Sequence, residues 1–378
     1  MIRVLHVVPD LNSGGAELMM KRLIEAHLGD PRYEHRVLSL RGLGTVGPVL
    51  LAKGVAVDSL GLTSALRLPG TLWRLTRAIR GIRPDIVQTW MYHADLLGGL
   101  AARLAGVRTV LWGVRVADIT PDMGVARETF WVRRLCARVS SVIPKAILYV
   151  CNSARPPHEA LGYDATKGVV IPNGYVLPPE RSEAERTELR RRLGLPVEAL
   201  LVGSAGRWAP QKDFPAFIKA ASRVAARFPE AEFVLIGRGV DRDNEELEGL
   251  IRDTGIAARF HLLGERRDLI DCLATLDLFS LQSIQEGFPN VVAEAMSAAV
   301  PCVVTDVGDA ALLVGDTARV IPPRQPDLLA AAMEEALALP PDVRRSRGQE
   351  ARQRVERHFS IAAVAERFGE LYRDLLRS

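Results

Sequence analysis

Only four of the 378 residues are cysteines, at positions 136, 151, 272 and 302, and no pair has the Cys-x-x-Cys spacing. A zinc site or disulfide framework needs closer grouping, so the sequence predicts reduced thiols and a cytoplasmic location. Long apolar runs are also missing, and none approaches the roughly twenty residues of a membrane span. Val4-Leu5-His6-Val7-Val8 leads directly into a glycine loop, without the apolar core and cleavage site of a signal peptide. Charge of one sign is scarce: the formal net charge of +4 is too small to argue for nucleic acid as a partner. A full dinucleotide fingerprint is lacking. Asn12-Ser13-Gly14-Gly15 follows the first apolar run, and Gly237-Arg238-Gly239 is only half of Gly-x-Gly-x-x-Gly. These absences leave a soluble globular protein that touches, at most, a membrane surface.

What is present is an alternation of short apolar runs with amphipathic stretches, made twice. Residues 2–8, 35–40, 85–89, 108–112 and 146–150 read as strands, and 16–28, 72–82 and 94–104 as helices. In the first helix Ala16, Met19, Met20, Leu23, Ile24 and Leu28 form one face. The pattern restarts with strands at 200–205, 232–237, 260–264, 276–281 and 301–305, after a charged first helix within 180–192. Val, Ile and Leu-rich strands separated by helices imply parallel sheets covered on both faces. The expected architecture is α/β, with two Rossmann-like doubly wound domains facing a central cleft. Their bounds are read as 1–175 and 176–355, and a last helical segment, 356–378, folds back toward the first domain. Such sheets take ligands at the carboxyl ends of their strands.

Two loops at predicted strand ends carry the chemistry. Glu286-Gly287-Phe288-Pro289-Asn290-Val291-Val292-Ala293-Glu294 leads from a strand into a helix. Gly287 permits close backbone approach, and the helix start offers N–H groups and a positive dipole end to hydroxyls or phosphates. Glu286 and Glu294 are placed to hold separate parts of one polar ligand. Taken singly, they also read as a helix-end stabiliser and a salt-bridged surface residue. The second loop, Gly206-Arg207-Trp208-Ala209-Pro210-Gln211-Lys212-Asp213, sets two cations directly after a strand. Arg grips two phosphate oxygens and Lys supplies a compact charge, although two surface cations would look the same.

Together these stretches resemble the family-four retaining glycosyltransferases of the GT-B fold. The resemblance runs from Gly14-Gly15-Ala16-Glu17 to the final helices. It includes the glutamate pair, Arg207 with Lys212, Ile171-Pro172-Asn173-Gly174, residues 291–296, and Pro301-Cys302-Val303-Val304-Thr305. It implies a sugar transferred from a nucleotide diphosphate to a glycan or lipid-linked acceptor, with no cofactor and no metal, in cell-surface polysaccharide synthesis. Glu294 would take the donor's ribose hydroxyls, and Glu286 the donor sugar with backbone N–H groups at Phe288, Asn290 and Val291. Arg207 and Lys212 would hold the diphosphate, while Gly14 and Gly15 would admit phosphate and acceptor. His93, in Met91-Tyr92-His93-Ala94-Asp95, is similar to the family's first-domain histidine at the sugar site; a packed or capping histidine is the other reading. Arg115 is a candidate acceptor contact. His6 reads as core, and His158 as packed near the junction.

Some positions depart from the family pattern. Ala299 stands where glycine is common, Tyr175 where an acidic turn often follows Asn-Gly, and Asp309 where a second glycine is usual. Asp241-Arg242-Asp243 has a metal-binding spacing but reads as the cap of a helix. Arg67, Arg74, Arg77, Arg80 and Arg83, with Arg127, Arg133, Arg134 and Arg138, read either as solvated helix faces or as a peripheral contact with anionic lipid at the inner membrane face. Two other functions use the same frame: a nucleotide-sugar epimerase or hydrolase, and a non-catalytic scaffold of a polysaccharide assembly complex.

Overall fold

Apolar runs of three to seven residues become strands here because helices cover both sides of each sheet, so a strand needs no polar face. The computed structural model describes residues 1–12, 14–62, 68–117, 119 and 126–377. Ser13 and Arg67, named above, lie outside the described residues.

The chain divides into two compact units, one formed by Met1–Gly174 with Ile361–Ser378 and the other by Tyr175–Ser360. Sequence reading placed these divisions at 175/176 and 355/356. The helix Pro341–Phe359 is thus wholly in the second unit, and the returning segment is the helix Ile361–Arg377.

The first unit contains β1 (Ile2–Val8), β2 (Tyr33–Ser39), β3 (Ala56–Ser59), β4 (Ile86–Thr89), β5 (Val110–Val114), β6 (Ala146–Tyr149) and β7 (Gly168–Val170). They form one parallel sheet in the order β3-β2-β1-β4-β5-β6-β7. The second unit holds β8 (Leu200–Ala205), β9 (Ala231–Ile236), β10 (Phe260–Leu262), β11 (Leu278–Leu281), β12 (Cys302–Thr305) and β13 (Arg319–Ile321). Its sheet is also parallel, in the order β10-β9-β8-β11-β12-β13. Each sheet grows outward from its first strand and then restarts on that strand's other side. The switch points are therefore β1/β4 and β8/β11, where open parallel sheets leave a crevice beyond their carboxyl ends.

In the first unit the core joins both ends of the chain. Met19, Met20, Leu23 and Ile24 of the helix Gly15–Ala26 share one cluster with Val364, Phe368, Tyr372 and Leu375 of the returning helix. A polar line crosses this core. The Trp90 indole donates to His6 Nδ1 (3.1 Å), His6 Nε2 meets His35 Nδ1 (2.9 Å), His35 Nε2 meets His27 Nδ1 (2.9 Å), and His27 Nε2 reaches the Ala365 carbonyl (3.3 Å). An indole only donates and a carbonyl only accepts, so all three imidazoles carry their proton on Nε2. His6 is thus a core residue, as its place in β1 suggests. His158 is buried within the first unit, between the Tyr92 hydroxyl (2.7 Å) and the Ala154 carbonyl (2.6 Å). Among the described residues no helix is long and apolar enough to cross a membrane.

Candidate functional site

The second unit's switch point is built from the loops that leave β8 and β11. After β8 the chain passes Gly206 and the exposed Arg207, then makes a short 3-10 turn, Pro210–Lys212. Asp213 follows in the left-handed region (φ 46°) and caps the helix Phe214–Arg227, its Oδ1 accepting from the Ala216 N–H at 3.4 Å. This reversal returns Lys212 over Gly206. Gly237 lets the end of β9 pass against the same loop: at φ 147°, a Cβ there would lie 1.8 Å from the Gly206 carbonyl oxygen.

Polar side chains stitch the two loops together. Ser204 Oγ donates to Gln282 Oε1 (2.9 Å), Gln282 Nε2 donates to the Lys212 carbonyl (2.7 Å), and the Ile284 N–H donates to the Gln211 carbonyl (2.9 Å). At their meeting point Lys212 Nζ and Ser283 Oγ both donate to Glu286 Oε1, at 2.5 and 2.6 Å. The Lys212 and Glu286 side chains are only 18% and 12% exposed, so the pair is shielded and strongly oriented. Gly308 (φ 57°) supports the following turn from beneath, since a Cβ there would strike the Gly287 carbonyl at 2.3 Å.

The helix Asn290–Ser297 begins just beyond, with Pro289 at its cap and no side chain capping it. Phe288 is buried, whereas Asn290 is exposed and Val291 and Glu294 are half-buried. Tyr175 explains one departure from the family pattern. Its ring stacks on Phe288 (centroids 6.4 Å apart, planes 20° apart), and its hydroxyl donates to Asn290 Oδ1 at 2.5 Å. Asp309, another departure, gives its backbone N–H to the Gly287 carbonyl (2.8 Å). Sequence reasoning missed Ser204, Gln282, Ser283 and Tyr175. The signal for the first three was a polar residue at the very end of an apolar strand.

The first unit's switch point joins the ends of β1 and β4. Gly15 opens the helix Gly15–Ala26, and Gly14 precedes it. The space where a Gly14 side chain would stand is taken by the Glu17 carboxylate, 2.4 Å from an ideal Cβ. Burial raises the Glu17 pKa. Beyond β4, Met91 takes φ 70°, and its N–H is held by the Gly113 carbonyl (2.8 Å). The helix Tyr92–Leu104 follows and sets the half-buried His93 in its first turn. Burial lowers the His93 pKa, Arg41 adds to this, and Glu128 opposes it, so the imidazole is neutral at pH 7.

Asp95, one turn on, is fully buried. Its Oδ1 accepts from Thr89 Oγ1 (2.5 Å) and the Gly113 N–H (3.1 Å), and burial raises its pKa to about 7. Arg115 turns inward: it donates to Asn173 Oδ1 and to the Ile171 carbonyl (3.4 Å), with its guanidinium 5.5 Å from the Trp90 ring centre.

Two expectations are corrected. Arg133 is not part of a surface cluster, because it is buried and donates to the Ile119 and Pro157 carbonyls. Asn244, not Asp241, caps the helix Glu245–Asp253, accepting from the Leu247 N–H at 3.1 Å; Asp241 instead accepts from the Asp243 N–H (3.2 Å). Among the described residues no three His, Cys, Asp or Glu side chains gather into a metal-binding group.

Comparison with known proteins covers both sheets. A model described as Glycosyltransferase Family 4 matches residues 13–177, and one described as Glycosyl transferases group 1 matches 199–338. An Escherichia coli UDP-Gal:alpha-D-GlcNAc-diphosphoundecaprenol alpha-1,3-galactosyltransferase is 29% identical over 242 residues, 63% of this chain and 62% of that protein. A D-inositol 3-phosphate glycosyltransferase of Corynebacterium urealyticum is 26% identical over 337 residues, 83% of this chain and 76% of that one. The crystal structure of Anabaena HepE in complex with UDP and glucose superposes with a TM-score of 0.81 at 20% identity, covering 99% of this chain and 100% of the other. That likeness shows the GT-B fold expected from the sequence. With one model on each sheet, and with polar loops gathered at both switch points, the chain belongs to the family-four glycosyltransferases, the glycosyl transferases of group 1.

Proposed function

We propose that the chain transfers a sugar from a nucleotide diphosphate to a glycan or lipid-linked acceptor, retaining anomeric configuration, without a metal, in cell-surface polysaccharide synthesis. The observation that carries this reading is the Lys212–Glu286–Ser283 cluster at the β8/β11 switch point, within the segment matched by the group 1 model.

In this reading Arg207 and Lys212 bind the diphosphate. Lys212 is already directed by Glu286, so its ammonium is oriented before the donor arrives, and fixed charge of this kind stabilises a departing phosphate best. Glu286 and the N–H groups of Phe288, Asn290 and Val291 hold the sugar, and Glu294 the ribose. The bond between the anomeric carbon and the phosphate oxygen breaks as the acceptor oxygen bonds to the same face. The acceptor's proton passes to the departing phosphate oxygen. On the first unit, neutral His93 is assigned to the transferred sugar. Gly14 and Gly15 are assigned to phosphate and acceptor, and Arg115 to shaping the edge on which the acceptor rests.

The test is thermal stabilisation by a panel of nucleotide sugars in EDTA, for wild type and Arg207→Ala. Arg207 is exposed, so its removal leaves the fold intact, and a ligand that binds only the folded state raises its melting temperature. UDP-galactose, the donor in the E. coli relative's name, heads the panel. A shift from one nucleotide series, surviving EDTA and at least halved in the variant, is expected. No shift from any donor would sink the reading in favour of a scaffold. Donor isomerised with no acceptor present would replace it with an epimerase.

A further inference from the structure

In the first unit, the helices Leu68–Ile82 and Arg127–Val139 pack on either side of Tyr92–Leu104. With helices packing about 8–10 Å apart, the outer two lie roughly 20 Å apart across one layer. Each outer helix presents a tryptophan to solvent: Trp73 is 62% exposed and Trp131 is 65% exposed. In each case an arginine on the same face lies over the indole, Arg77 at 5.5 Å and Arg134 at 5.6 Å from the ring centre. The exposed stripes continue with Arg80 on one helix, and with Leu135 and Arg138 on the other. Leu68–Ile82 carries no acidic residue, and Arg127–Val139 carries only Glu128.

We propose that this face docks on an anionic lipid surface. The two helices share one chemistry: an indole, which partitions to the boundary between headgroups and acyl chains, backed by arginines that pair with phosphate and reach outward along the helix. A protein partner or a second copy of the chain would also cover indoles. However, among the described residues of the two helices six exposed arginines (Arg74, Arg77, Arg80, Arg127, Arg134, Arg138) stand against one exposed glutamate, Glu128, an excess that the same face of a second copy could not neutralise; Arg74 and Arg80 also donate to the Leu60 and Leu104 carbonyls.

The position of the face has a use. Cys136 Sγ of Arg127–Val139 donates to the Tyr92 carbonyl at 3.5 Å, next to His93, so this helix adjoins the β1/β4 switch point, and Trp131 lies about one and a half turns before that contact. A bilayer held by Trp131 would bring headgroup-linked molecules to that edge. The inference stands apart from the transfer reading, because docking needs neither donor nor acceptor.

The experiment is co-sedimentation of the full chain with vesicles of phosphatidylcholine alone and of equimolar phosphatidylcholine and phosphatidylglycerol, with tryptophan emission recorded. The expected result is binding to the mixed vesicles only, with a blue shift and loss at high salt. Both Trp73→Ala/Trp131→Ala and Arg77→Glu/Arg134→Glu should weaken it at least about tenfold with unchanged circular dichroism and melting. Because all four side chains are exposed, these variants keep the fold. Absence of vesicle binding overturns the proposal. So does equal binding by the variants, capture of single-stranded RNA in preference to vesicles, or self-association that the tryptophan variant abolishes without any vesicle binding.

Discussion

Ala299 ends the helix Asn290–Ser297 in the left-handed region, at φ 59°. A side chain there costs about 1–2 kcal/mol relative to glycine, whereas glycine costs about 0.5–1 kcal/mol more in chain entropy. Ala299→Gly is therefore expected to stabilise the second unit by about 0.5–1 kcal/mol, read as a higher denaturant midpoint at unchanged slope. The departure at this position was visible in the sequence, but its backbone angle was not. The same division holds across the candidate site. Glu286, Arg207 and Lys212 were legible as candidates because a charged residue directly after an apolar strand stands out, although a surface cation would look the same. Ser283 and Tyr175 were not, because a serine or tyrosine acquires its role only once a partner 3 or 115 residues away is brought to it.

At the scale of elements, the strands that the sequence hid are β3, β7 and β13. All three are short and lie at sheet edges, with partly exposed side chains that blunt the apolar signal. The strands flanking the switch points were legible because both their faces are covered. The interior of the first unit, on β1, β2 and the helices beside them, also holds the groups that make stability depend on pH. Withdrawal from water, and the charge that His27 would carry beside it, lowers the His35 pKa from 6.5 to about 3. His6 and His27 are shifted the same way, again chiefly by burial. A depressed imidazole contributes stability above its unfolded value and loses it as pH falls from 6.5 toward 3. Asp95 has the opposite sign. Raised from 3.8 to about 7 by burial, it contributes fully below 3.8 and loses that contribution as pH rises through 7. The two trends oppose each other between pH 4 and 6.5. Asp95→Asn, which removes the falling one, should therefore give melting temperatures that climb more steeply from pH 4 to 7 than those of the wild type.

At the scale of the whole molecule, the first unit is discontinuous in sequence and the second is not. Val364, Phe368, Tyr372 and Leu375 are buried in the first unit's core, and each such side chain contributes roughly 1.5–3 kcal/mol. Together they rival the roughly 5–15 kcal/mol that keeps a whole domain folded. A chain ending at Ser360 should accordingly keep residues 175–360 resistant to limited proteolysis while residues 1–174 become readily cleaved, as mass spectrometry of the fragments would show. Resistance of both segments would mean that the returning helix is dispensable. The same arrangement sets an order of events on the ribosome. The second unit has every strand of its sheet once residue 321 has emerged, and all of its chain by residue 360. The first, although translated earlier, has an open core until the last helix is released. Its exposed Met19, Leu23 and Ile24 must then wait through about half of the synthesis time, which makes the nascent first unit the natural client of a chaperone that holds apolar helices.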